Sequence, residues 1–133
     1  MTNAERVTEI VHRLGVFDFD GVGEMLSPTF VQEYPYLPTP ESPSRIEGPE
    51  SFLAFCRNGM TAFEPYAFRI LVVYETTDPT TVLAEYSSHS RLLATGAPYS
   101  NRYVGVFVFD DLGRLVLWRE YLNPQLIAAA FGG

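Results

Sequence analysis

The sequence predicts an α+β fold in which helices cover one face of a curved antiparallel sheet. Helical periodicity dominates the first 62 residues, whereas residues 66–122 hold four strand-like segments separated by turn sequences. A short helical segment closes the chain. With 133 residues, of which 47% are hydrophobic, the chain is long enough for one domain with its own core. We therefore expect a single domain over 1–133.

The first helix has both a start signal and an apolar stripe. Thr2 and Glu5 have the spacing of a capping box, and Gly15 ends the periodic segment. Between them, four residues recur at helical spacing: Val7, Ile10, Val11 and Leu14. Next come a turn and a short helix within 16–26, which Ser27-Pro28 is expected to end. Residues 30–36 then have the composition of a strand.

Four prolines between 38 and 49 argue against regular structure there. A loop over the mouth of a cavity fits a compact domain better than a polyproline ligand for a partner. Pro49 and Glu50 then open a helix that runs to about Ala62. The remaining elements are strands at 68–74, 81–93, 99–109 and 114–122, followed by a helix over 125–131 after Asn123-Pro124.

Composition disfavours several classes of function. The net charge is −7, and all nine basic residues are arginines, so phosphate backbones and anionic membrane surfaces are poor partners. The absence of lysine removes Schiff-base chemistry. Neither a metal-ligand spacing nor a glycine-rich phosphate loop occurs, so we expect chemistry without metal or cofactor. The single cysteine, Cys56, is predicted to be a small buried hydrophobe rather than a nucleophile.

The N-terminal residues give an expectation for location. Residues 1–6 lack the basic start and apolar core of a signal peptide, and no apolar run approaches the ~18 residues of a membrane span. We expect a cytoplasmic protein.

Glu120 is the residue that most strongly suggests chemistry. It lies between Trp118 and Leu122 on one face of the last strand. If that face is internal, desolvation raises the pKa of the carboxyl toward a range that suits proton transfer. If it is external, Glu120 pairs with an arginine.

His89 permits two interpretations. It shares a strand face with Glu85, Ser87 and Arg91, which is consistent with a base and its orienting carboxylate or with a solvated face. We include His89 among the candidate ligand contacts.

The strands of residues 99–122 are apolar on both faces. The helices can bury one of these apolar faces. The other face needs a second partner, so we predict a homodimer in which the two sheets pack against each other.

The motifs near the C-terminus resemble a known family. The hairpin at 108–115 and the segment Trp118-Arg119-Glu120-Tyr121-Leu122-Asn123-Pro124 look like the SnoaL-like branch of the nuclear transport factor 2-like superfamily. Within that branch, the closest resemblance is to the phenazine-biosynthesis PhzA/PhzB proteins. It is carried by Arg45-Ile46-Glu47-Gly48, Tyr74-Glu75-Thr76-Thr77-Asp78-Pro79, Ala84-Glu85, Tyr99-Ser100-Asn101 and Arg119-Glu120-Tyr121-Leu122-Asn123-Pro124. This resemblance covers nearly all of 1–133. It implies a cone-like, strongly curved sheet wrapped around helices and enclosing a deep apolar pocket.

The resemblance also implies site residues. Glu120 stands where PhzA/PhzB proteins carry the acid/base glutamate of a condensation, whereas their helical His and Ser fall near Phe55 and Gly59. The aspartate base of ketosteroid isomerase, which has the same fold, falls at Tyr34. We expect an aromatic pocket wall, with polar atoms of the ligand steered by Tyr34, Asn101 and Tyr103. The expected wall residues are Tyr34, Phe55, Tyr103, Phe107 and Trp118.

Three functions are consistent with these observations. The first is a cofactor-free isomerase or cyclase in which Glu120 moves a proton on a small apolar cyclic or polyketide-like molecule. The second is a non-catalytic binding or accessory protein of the same fold. A dimerisation module with a vestigial pocket is a third alternative.

Overall fold

The computed structural model describes residues 1–132, and its elements follow the predicted α+β order. They are α1 (Asn3–Gly15), α2 (Phe19–Gly23), β1 (Leu26–Glu33), β2 (Arg45–Glu47), α3 (Pro49–Met60), β3 (Arg69–Glu75), β4 (Thr81–Arg91), β5 (Pro98–Phe109), β6 (Leu115–Tyr121) and α4 (Pro124–Ala130). None of the helices described is long and apolar enough to cross a membrane.

The six strands form one sheet in the order β2-β1-β6-β5-β4-β3. The pairs from β6 to β3 are antiparallel, as predicted, but β1 runs parallel to β6. The predicted α+β class with a curved sheet is confirmed. The parallel pair brings the N-terminal part of the chain against the C-terminal strand and sets Gln32 opposite Trp118.

Two boundaries in the first half differ from prediction. Ser27-Pro28 does not end a helix but lies within β1, where the pairing with β6 shifts register between Leu26 and Val31. Proline cannot donate to a ladder, and this interruption accommodates it. The proline-rich segment also contains β2, because Ile46 is buried opposite Gln32 in an antiparallel pair with β1.

The helices cover the inner face of the sheet. In α1 the predicted capping box is present, and the predicted apolar stripe is buried. This helix packs against β3 and β4, α3 packs against β1, and α4 packs against β5. The inner face is therefore enclosed by protein along much of its length.

A close approach at Gly105 shapes the middle of this face. A side chain there would meet the Phe107 ring at 2.5 Å and the Trp118 indole nitrogen at 3.2 Å. Gly105 pairs with Ala84 on one side and with Glu120 on the other. Small residues at this level let the aromatic rings lean over the strands next to the carboxyl group.

Candidate functional site

A cavity of about 410 Å³ lies between α3 and the inner face of the sheet, within the size range of small-molecule sites. Its wall is mainly apolar and aromatic. The proline-rich segment contributes Pro38, Thr39, Glu41 and Ser42 to the lining. Among the lining residues described, the charged side chains are carboxylates only, those of Glu41 and Glu120.

Glu120 is buried in this wall, with 7% of its surface exposed. Its Oε2 accepts a hydrogen bond from the phenol of Tyr86, and its other oxygen has no hydrogen-bond partner among the described residues. Burial raises the pKa of Glu120 from 4.5 to about 7, and the Tyr86 hydrogen bond opposes this rise in part. The carboxyl can therefore exchange a proton near neutral pH.

Tyr86, which is buried outside the cavity lining, positions the carboxyl group of Glu120. Its phenol oxygen accepts a hydrogen bond of 3.1 Å from Trp118 Nε1, and its ring stacks on Tyr103 at 5.1 Å between centroids. Burial and the neighbouring Glu120 raise the pKa of Tyr86 well above its usual range, so its hydroxyl stays protonated as a donor. Trp118 donates to Tyr86 and Tyr86 donates to Glu120, and this chain of hydrogen bonds fixes one oxygen of the Glu120 carboxyl group.

A second polar cluster crosses β4 and β5. The Tyr103 hydroxyl lies 2.8 Å from Ser88 Oγ and 2.9 Å from the Tyr99 hydroxyl. Asn101 Nδ2 donates to the Tyr99 oxygen and to the carbonyl of Asn123, both at 2.9 Å. Asn101 Oδ1 accepts the backbone N–H groups of Arg102 and Asn123, so all four of these side chains are bonded within the protein.

The predicted site residues divide into three groups. Glu120 and four of the others line the cavity: Tyr34, Phe55, Tyr103 and Trp118. Phe107 and Asn101 are buried on the same face but lie behind the lining. The Phe107 ring packs on Trp118 at 4.9 Å, and the amide of Asn101 is occupied by the cluster above.

His89 is a correction. It is exposed on the outer face of β4, where Nδ1 lies 3.2 Å from Ser100 Oγ. Strand alternation turns Tyr86 and Ser88 inward, so the face that carries His89 is the solvated one. His89 is not among the lining residues.

Three buried residues of the lining with hydrogen-bonding side chains were not predicted: Gln32, Tyr66 and Tyr99. Burial raises the pKa of Tyr66 and raises that of Tyr99 to about 12, which keeps both phenols protonated. Gln32 offered a usable signal, since an amide alternates there with Phe30 and Tyr34 on one strand face.

Metal binding and thiol chemistry find little support in 1–132. Within that range, His, Cys, Asp and Glu side chains do not assemble into a group of three that could hold a metal. Cys56 is buried, as expected, and burial raises the pKa of its thiol, which disfavours a reactive thiolate.

A carboxyl titrating near neutrality, facing an apolar wall with protonated phenols, can take a proton from carbon or oxygen and return it elsewhere. The phenols can donate to an oxygen that gains negative charge.

Known proteins of similar sequence and structure support the fold. The SnoaL-like domain profile matches residues 7–118. Uncharacterized protein YesE from Bacillus subtilis is 31% identical over the whole of this chain and 92% of its own length. A crystal structure from Bacillus subtilis, provisionally described as an isomerase, is also 31% identical, with a TM-score of 0.85 over 97% of this chain and 91% of that one.

Two more distant structures are relevant to the predicted resemblance to PhzA/PhzB proteins. An LEH-like epoxide hydrolase from Mycobacterium tuberculosis is 25% identical, with a TM-score of 0.75 over 98% of this chain and 91% of that one. A phenazine biosynthesis-related protein from Pseudomonas aeruginosa is 21% identical, with a TM-score of 0.75 over 98% and 87%, which shows the shared fold alone. These likenesses do not single out PhzA/PhzB. The chain belongs to the SnoaL-like domain family.

Proposed function

We propose that this protein binds a small, largely apolar cyclic or polyketide-like molecule in its cavity and transfers a proton on it without a cofactor. One observation carries the proposal. Glu120 lies in the cavity wall with one oxygen fixed by Tyr86 and the other unpaired, and its pKa is about 7. A group poised in this way suits general acid/base work at neutral pH.

The reaction class follows from the groups present. The carboxylate of Glu120 takes a proton from a carbon next to a carbonyl, which leaves an enolate. Protonated phenols such as those of Tyr34 and Tyr66 donate to the enolate oxygen. If the proton returns to a different atom, the product is an isomer of the substrate. If the enolate carbon instead forms a bond to a second carbonyl carbon of the same molecule, the π bond of that carbonyl breaks and the new alkoxide takes the proton, which gives a cyclised product. Neither route involves oxidation.

A hydrogen-exchange assay tests this function. We expect the protein to speed deuterium uptake at the α-carbon of a bicyclic ketone, 2-tetralone, in D2O followed by NMR. Glu120→Gln keeps the shape of the side chain and removes its proton chemistry, and we expect it to lower the rate by about 10²-fold or more. Glu75→Gln, at an exposed carboxylate outside the cavity lining, is the control and retains the rate.

The second candidate is the non-catalytic binding or accessory protein. It is favoured by one observation: apart from Glu120, the titratable groups of the buried lining are phenols and the Cys56 thiol, whose pKa values are all raised. Under this alternative 2-tetralone binds, but its exchange rate equals that in buffer and does not respond to Glu120→Gln.

A homodimer is part of the proposal. The outer face of the sheet carries apolar side chains at adjacent positions of β5 and β6, and 38% of the surface of Val104 is exposed. A second copy of the chain packed on this face covers them. Sedimentation at micromolar concentration is expected to give about twice 14.9 kDa.

A matched pair of variants tests the dimer face. Val104→Glu places a charge in its centre and is expected to give monomers. Leu112→Glu introduces the same charge at a more exposed leucine in the β5–β6 turn and is expected to leave the dimer intact. A monomeric wild-type protein would contradict this part of the proposal.

A further inference from the structure

Gln32 carries a polar atom that the protein leaves without a partner. The side chain lines the cavity and is 1% exposed. Among the described residues, its Oε1 is the buried side-chain oxygen or nitrogen atom that lacks a hydrogen bond. Folded proteins pair nearly all such atoms, so an exception on a cavity wall calls for a functional explanation.

The surroundings of Gln32 leave its Oε1 without a donor, although the amide also interacts with the phenol of Tyr34. Its cross-strand neighbours are Ile46 in β2 and Trp118 in β6. Ile46 has no polar side-chain atom, and Trp118 gives its single N–H to Tyr86. An apolar side chain would fit between these two neighbours without the cost of an unpaired amide oxygen.

The charge of the lining restricts what can bind there. Its described residues include no Arg, Lys or His, and its two charged side chains, Glu41 and Glu120, are both acids. An anionic ligand would enter without a counter-charge and close to a carboxyl group. A neutral ligand that carries its own hydrogen-bond donor meets no such penalty.

We propose that Gln32 is a specificity-determining residue whose Oε1 accepts a hydrogen bond from an uncharged cyclic ligand bearing an O–H or N–H group. This inference rests on the proposed function and names the ligand class of the same cavity. The amide anchors the polar end of the ligand on β1, while the carboxyl of Glu120 on β6 stays free to move a proton.

Three compounds with one ring system provide the test. They are 2-naphthol, which has a donor, 2-methoxynaphthalene, which lacks one, and 2-naphthoate, which is an anion. Calorimetric titration at pH 6 keeps Glu120 mainly protonated. We expect wild type to bind 2-naphthol about tenfold more tightly than the methyl ether, equivalent to about 1.4 kcal/mol, and to bind 2-naphthoate most weakly.

Gln32→Leu isolates the role of the amide. We expect the affinity for the methyl ether to stay within about threefold of wild type, and the preference for 2-naphthol to fall below about twofold. Gln32→Met, an unbranched substitution of similar length, is expected to do the same. A preference that persists in both variants, or an equal loss for both compounds, would overturn the assignment.

The stability of the ligand-free protein provides a second readout. Both variants remove an unpaired buried oxygen, so we expect their melting temperatures to equal or exceed that of wild type. A clear decrease in both would show that Oε1 has an internal partner and would overturn the assignment.

The failures can be told apart. If wild type binds none of the three compounds, the proposed binding function fails, and this inference fails with it. If it binds the two neutral compounds equally, only the assignment to Gln32 fails.

Discussion

Two polar groups lie in or directly behind the wall of the same cavity, but they differ in how their hydrogen bonds are used. The first, which we term the closed network, consists of Ser88, Tyr99, Asn101 and Tyr103 on β4 and β5, joined by hydrogen bonds of 2.8–2.9 Å. The second, the open pair, consists of Gln32 on β1 and Glu120 on β6. Each member of the open pair has an oxygen without a partner among the described residues.

This difference separates the residues that stabilise the cavity wall, the closed network, from those that can recognise a ligand, the open pair. Burying a polar group is costly unless it is hydrogen-bonded, so a fully bonded cluster can brace the sheet at little net cost. The buried Oε1 of Gln32 has no such compensation, and the free energy that it costs is recovered only when a ligand binds it. The carboxyl of Glu120 is compensated only in part, by Tyr86. We therefore expect substitutions in the closed network to affect stability, and those in the open pair to affect pH dependence and binding.

The largest expected effect is on the pH dependence of stability through Glu120. The folded state raises its pKa from 4.5 to about 7, so folding holds the proton more tightly than the unfolded chain does. This contribution is complete below about pH 4.5 and is lost as pH rises to about 7, a change of about 3 kcal/mol. Glu120→Gln should remove that decline.

Urea unfolding at pH 5 and pH 8 measures this change. We expect wild type to lose stability across the interval and Glu120→Gln to be nearly flat. Glu41→Gln, at the exposed lining carboxylate, is the control and should follow wild type. Equal slopes for wild type and Glu120→Gln would show that the carboxyl is ionised throughout the interval.

The next effect is a loss of stability in the closed network. Asn101→Ala removes two donated and two accepted hydrogen bonds, and the buried Tyr99 hydroxyl then keeps only its bond to Tyr103. We expect a loss of about 2 kcal/mol in urea unfolding. Asn58→Ala, at an exposed asparagine of α3, should change stability little. An unchanged Asn101→Ala protein would mean that the network does not brace the sheet.

Tyr86 contacts both the closed network and the open pair, because its ring stacks on Tyr103 and its phenol donates to Glu120. The third prediction is for Tyr86→Phe. The Tyr86 phenol donates to the Glu120 carboxylate, so removing it disfavours the ionised form and raises the pKa of Glu120 further. We expect the ratio of ionised to protonated carboxyl at pH 7 to fall roughly tenfold, equivalent to about 1.4 kcal/mol.

The carboxyl carbon resonance of Glu120, followed by NMR against pH, measures this shift. Tyr103→Phe is the matched control, because that ring stacks on Tyr86 but its hydroxyl bonds to Ser88 and Tyr99. We expect the titration of Glu120 to stay close to wild type in Tyr103→Phe. A titration unmoved in Tyr86→Phe would argue against a donor role for this phenol.

Local sequence patterns were sufficient for much of the fold. Helical periodicity and caps located α1, and strand alternation put Trp118 and Glu120 on one face. These signals act between residues close in sequence. The parallel pairing of β1 with β6 has no local signal, because it joins segments about 86 residues apart, and it is this pairing that sets Gln32 beside Trp118.

Hydrogen-bond partners in the site were harder to predict for the same reason. Alternation put Asn101 on the inner face, but its amide is occupied by Tyr99 and Asn123 rather than facing the cavity. Tyr86 reaches Glu120 across 34 residues and was missed. Sequence patterns predict which face a side chain occupies, whereas the partner of a polar atom depends on the packed tertiary structure.

The smallest expected effects come from two adjacent residues on opposite faces of β4. Ser88→Ala removes one of the two hydrogen-bond partners of the Tyr103 hydroxyl at a buried position and should cost about 1 kcal/mol. His89→Ala removes an exposed side chain whose contact is Ser100, and it should change stability by less than about 0.5 kcal/mol. The backbone N–H of residue 89 still donates to the carbonyl of Tyr66, so the strand keeps its place. Urea unfolding measures both costs, and titration with 2-naphthol should give the wild-type affinity in His89→Ala. A loss of binding in that variant greater than about twofold would place His89 at the cavity and contradict the division between the two faces of β4.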